Sequence, residues 1–149
     1  MTASPWTDYL NLLTSLSGTL EKLTDIERRK TDAVCHGDLP VVEDCMKQEQ
    51  VISLSLRSLE QKRIHALSQL GLSHVPLRDL QKHSPPEYDL ETKRVVEELR
   101  RQYTLFQTAS QVARNTLECN LREIQRIQDE VSGTPSGPDE LPHQTDFRV

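Results

Sequence analysis

Cys35, His36 and Cys45 are the residues in this chain whose types and closeness could support metal chemistry. Thiolates and imidazoles are the usual ligands of zinc, and a structural zinc site gathers four of them around one ion. Adjacent Cys35 and His36 cannot easily both turn to one ion from the end of a helix, and a fourth ligand is missing. The plainer reading is a turn histidine beside two small thiols, so no metal is expected. His65, His74, His83 and His143 have no neighbours at ligand or catalytic spacing. The sequence contains no GxGxxG, P-loop, GxSxG, HExxH or EF-hand pattern. The chain is therefore expected to be no enzyme, to need no cofactor and to act by binding.

The elements that carry such a binding surface are long helices. Of 149 residues, 35% are hydrophobic, 4% aromatic and 28% charged. That balance is poor for a compact globule and ordinary for long helices, which expose much surface per residue. The net charge is −5 with acids and bases interleaved, which leaves no basic face for nucleic acid. No apolar run approaches the ~20 residues a membrane span needs. Met1 to Trp6 shows no signal-peptide pattern, and three cysteines without CxxC spacing read as reduced thiols, so the expected location is cytoplasmic.

Punctuation divides the chain into three helices at about 5–35, 39–70 and 85–131. Ser4 is a good N-cap, Pro5 suits the first helical position and Gly37 supplies a stop. The seam of the first helix runs Tyr9, Leu13, Leu16, Leu20, Leu23, Glu27, Lys30, Val34. Glu27 and Lys30 make its last turns polar, and packing is expected to weaken there. Asp38 caps the second helix, with seam Val42, Cys45, Glu49, Ile52, Leu56, Leu59, Arg63, Ala66, Leu70. So short a link forces an antiparallel hairpin. Ser84-Pro85-Pro86-Glu87 has capping-box spacing and predicts a third helix from Pro85, with Asp89 as the competing start. From Pro85 this helix is ~47 residues or ~70 Å. Residues 1–132 form one helical domain, and 133–149, rich in proline, glycine and polar residues, is expected to be a disordered tail. The fold class is all-α: a helical hairpin plus a longer third helix in an elongated three-helix coiled-coil bundle.

The third helix outlasts its partners. Its seam steps by three and four through Val96, Leu99, Tyr103, Phe106, Ser110, Ala113, Leu117, Asn120, Ile124, Ile127 and Val131. A second stripe, Val95, Leu105, Ala109 and Val112, accompanies the first half and suggests contact with both arms of the hairpin at once. Beyond Cys119 a single stripe remains. The residues expected to bind a partner are Leu117, Leu121, Ile124, Ile127 and Val131. Three occupants fit this pattern: the first helix of this chain, a second copy in a homodimeric scaffold, or a client helix in helix-in-groove fashion.

The residues also resemble a known family. Leu23 to Glu27, the turn Gly37-Asp38-Leu39, Lys47, and Leu59-Glu60-Gln61-Lys62-Arg63 leading to Leu70-Gly71-Leu72 are similar to the FlgN-like flagellar export chaperones. Arg114 to Leu121 resembles the family's asparagine-bearing segment. Here Asn115 and Asn120 stand five apart where the family sets them about three apart, so no role is carried over to them. The resemblance implies a cytoplasmic, non-enzymatic chaperone that binds helical terminal segments of hook–filament junction proteins. It would prevent their premature association and deliver them to export apparatus components.

Overall fold

The computed structural model describes residues 4–133. Three long helices, α1 (Pro5–His36), α2 (Leu39–Gln69) and α3 (Asp89–Ser132), are joined by a hairpin turn and a connector with two short 3-10 segments. The fold is an all-α helical bundle. The tail expected to be disordered lies, apart from Gly133, outside the described residues.

Local chemistry explains the helix ends. The Ser4 hydroxyl accepts the Trp6 backbone N–H at 3.3 Å, with Pro5 at the first helical position. At the other end Gly37 takes φ 68°, and the Gly37 and Asp38 N–H groups donate to Val34 and Ala33 carbonyls at 3.2 and 2.9 Å. Glycine tolerates this left-handed conformation because it has no Cβ. Asp38 then caps α2 by accepting the Val41 N–H at 3.4 Å. Because chain reversal takes only Gly37 and Asp38, α1 and α2 pack antiparallel.

α3 begins at Asp89, not Pro85. Pro85 has φ −58° and ψ 144°, since the ring of a following proline excludes the helical region. The Ser84–Glu87 capping box therefore does not form. Ser84 instead donates its hydroxyl to the Gln81 carbonyl at 2.7 Å. Even so, the 44 residues of α3 span ~66 Å at 1.5 Å per residue.

The central helix is α1, which packs on both α2 and α3 while the backbones of those two stay apart. The expected contact of α3 with both arms is therefore made through backbone-close packing on α1 and through side chains alone on α2. The second buried line on α1 is Leu10, Ser17 and Thr24, spaced seven apart. Two of those three are polar, which hides the line in the sequence. Trp6 Nε1–H donates to the buried Thr92 hydroxyl at 3.0 Å, tying the start of α1 to the start of α3. At the far end Leu117 packs against Ala33, Val34 and Val42, so α3 runs parallel to α1. The main core joins Trp6, Tyr9, Leu13, Leu16 and Leu20 to Leu67, Val96 and Leu99, and Leu80 of the connector closes its base.

Glu27 and Lys30 do not loosen the hairpin. Both are buried, with Glu27 2% exposed. Lys30 Nζ bridges Glu27 at 3.2 Å and Glu49 of α2 at 2.9 Å. Burial and the nearby Glu49 carboxylate raise the Glu27 pKa to about 7. Burial opposes the charge on Lys30, but its bonds to Glu49 and Glu27 win and raise its pKa. The polar positions of two seams are one ionic cluster seen from two helices.

Candidate partner-binding surface

The seam of α3 changes character along its length. Val96, Leu99 and Ala113 are buried, and Tyr103, Phe106 and Leu117 are half-buried against the bundle. Past Leu117 the same face carries Leu121, Ile124, Ile127 and Val131 at 64%, 47%, 49% and 83% exposure. The cause is a difference of lengths. α1 ends at His36, and Leu117 is the α3 seam residue that meets the last buried turn of α1, at Ala33 and Val34. Past Leu117 the helix continues to Ser132, fifteen residues or ~22 Å, and its large apolar side chains there stand exposed.

The five residues singled out from the sequence therefore divide. Leu117 is part of the bundle's end and marks the border. Leu121, Ile124, Ile127 and Val131 form a contiguous uncovered row. The charges beside the row are paired along the helix: Arg126 with Glu123, while Gln125 donates to Asp129 at 3.1 Å. Such exposed pairs add little stability, but they keep the flanks polar and the row distinct. Gly133, at φ 70°, ends the helix just past Val131. A row of large apolar side chains on one face is the kind of surface that marks a protein–protein contact.

Cys35 is exposed and Cys45 is buried within the hairpin. Among the described residues no cluster of three His, Cys, Asp or Glu side chains could hold an ion, and no helix is long and apolar enough to cross a membrane.

One arrangement escaped the sequence reading. The Tyr103 hydroxyl donates to Glu60 Oε1 at 3.0 Å, and Glu60 also holds Arg63 through Nε at 3.1 Å and Nη2 at 2.9 Å. This network bridges α2 and α3 by side chains alone. Burial, then the Glu60 carboxylate, pushes the Tyr103 pKa up to about 12. The available signal was Arg63, a cation within an apolar seam three residues after Glu60.

The family model described as FlgN protein matches residues 7–138, which takes in all but the first two residues of α1, all of α2 and α3, and the uncovered row. The chain belongs to the FlgN family. As a FlgN protein it falls among the flagellar export chaperones, a family of binding proteins and not of enzymes. No curated protein and no solved structure matches the chain.

Proposed function

We propose that this FlgN protein is a cytoplasmic export chaperone that receives the helical terminal segments of hook–filament junction proteins on Leu121, Ile124, Ile127 and Val131, with Leu117 as the floor. The supporting observation is the uncovered row itself, continuous with the buried seam of α3. A client segment that is disordered alone gains a partner for its apolar face and loses the chance to associate early. These four side chains are about half to four-fifths exposed, so covering them offers roughly 4–7 kcal/mol of gross burial. Ordering a disordered client consumes about 2–5 kcal/mol of that gain. The remainder is a reversible grip that export apparatus components can break by competing for the client, without nucleotide hydrolysis.

The test is Leu121→Asp combined with Ile124→Asp. Both side chains are exposed, so circular dichroism is expected to remain helical while titration with a junction protein's C-terminal segment shows binding lost. Undiminished binding would overturn the surface assignment. Sedimentation of the full chain addresses self-pairing. A tight dimer that the double substitution converts to monomer would assign the row to a second copy in a scaffold, not to a client.

A further inference from the structure

A second unfilled surface lies toward the opposite end of the bundle. α1 packs on both other helices, but the backbones of α2 and α3 stay apart, and the open side between them holds a groove of about 830 Å³. Its lining includes the buried Leu67, Val75 and Leu99. Ile64, 60% exposed, and half-buried Leu77 add apolar surface to the lining. The rim is basic. Arg63 and Arg101 are neutralised by Glu60 and Glu98. Arg78 and Arg100 also line the groove and, among the described residues, form no ion pair; Glu97 is the one acid in the lining. Two unpaired guanidinium groups beside an apolar trough stand out in a chain of net charge −5.

We propose that this groove docks a second protein segment, a short amphipathic helix with carboxylates along the edge of its apolar face. Along α3 the groove runs from Glu97 to Gln107, ~15 Å or about three turns of helix. The apolar lining gives a helix something to bury, which a free anion lacks. Arginine forks match carboxylates with paired hydrogen bonds, so Arg78 and Arg100 select an acidic edge over a basic one. From Gln107 to Leu121 is ~21 Å along the helix, so this site and the uncovered row can be occupied together. The protein would then hold two partners at once, one at each end. This inference does not depend on what binds the row.

The probe is a fluorescein-labelled synthetic 14-residue helix with leucines on one face and flanking glutamates, alongside a counterpart with lysines in their place. Binding is read by anisotropy on the full chain carrying Leu121→Asp and Ile124→Asp, so the α3 row cannot contribute. The acidic peptide is expected to bind saturably and to shift the methyl resonances of Ile64, Leu77 and Leu99. Adding Arg78→Glu and Arg100→Glu is expected to weaken it at least tenfold and to make the lysine peptide the better ligand. Ile64→Asp, at an exposed position, is expected to weaken both peptides on the helical, folded chain. Equal binding of the two peptides, indifference to the arginine or Ile64 substitutions, or no methyl shifts in the groove would overturn the proposal. None of these outcomes alters the separate junction-segment test of the row.

Discussion

Replacing Glu27 with glutamine probes the ionic cluster inside the α1–α2 interface. Burial, then Glu49, lifts the Glu27 pKa from 4.5 to about 7 against the attraction of Lys30. The unfolded chain releases this proton near 4.5. Between those values the folded state binds the extra proton, so stability declines as pH rises through the window. Glu49 has the opposite sign: its folded pKa is lowered, so its contribution is present above the ordinary carboxylate value and is lost on acidification. The neutral limb of the stability profile therefore belongs to Glu27. At ~1.4 kcal/mol per pKa unit, ionising Glu27 inside the fold costs about 2–3 kcal/mol between pH 5 and pH 8. Glutamine is neutral throughout, and its amide can accept from Lys30 and donate to Glu49. Thermal melts at pH 5, 6, 7 and 8 are expected to show Glu27→Gln gaining on the wild type as pH rises, by on the order of 10 °C across the range. Parallel melting curves for the two proteins at all four pH values would refute this account of the cluster.

Two stability measurements separate the bundle from its extension. Leu20→Ala removes a fully buried side chain and is expected to cost about 2–5 kcal/mol in urea unfolding, whereas Leu121→Ala is expected to stay within about 0.5 kcal/mol; similar costs would mean the α3 row is packed after all. In native-state hydrogen exchange, amides of α3 beyond Leu117 are expected to exchange well before those around Leu99, since the apolar side chains of that end are exposed. Equal protection would show the end to be covered.

The helices were legible because their signals are local. Ser4, Pro5, Gly37 and Asp38 place caps and stops within a few residues, and the alternation of three and four from Val96 to Val131 marks one face of α3. The start of α3 was less legible, because the serine–glutamate spacing competes with a double proline whose steric effect on Pro85 prevails. Long-range pairings were not legible. Glu27, Lys30 and Glu49 each look like a fault in an apolar seam when read along one helix. They become a satisfied cluster only when α2 folds back on α1. Ser17 and Thr24 likewise conceal a second buried face, because burial of a hydroxyl depends on which helix arrives beside it.

For the binding surface the division is similar. The sequence by itself determined that α3 is longer than the hairpin arms and that its apolar stripe continues to Val131, since both follow from local periodicity and helix stops. Only the tertiary structure decided where cover ends. That point depends on the parallel register of α3 against α1, set by Trp6 meeting Thr92 at one end and Leu117 meeting Ala33 and Val34 at the other. Periodicity says which residues share a face. Packing alone determines which neighbour that face meets, and so which residues of the row remain open to a partner.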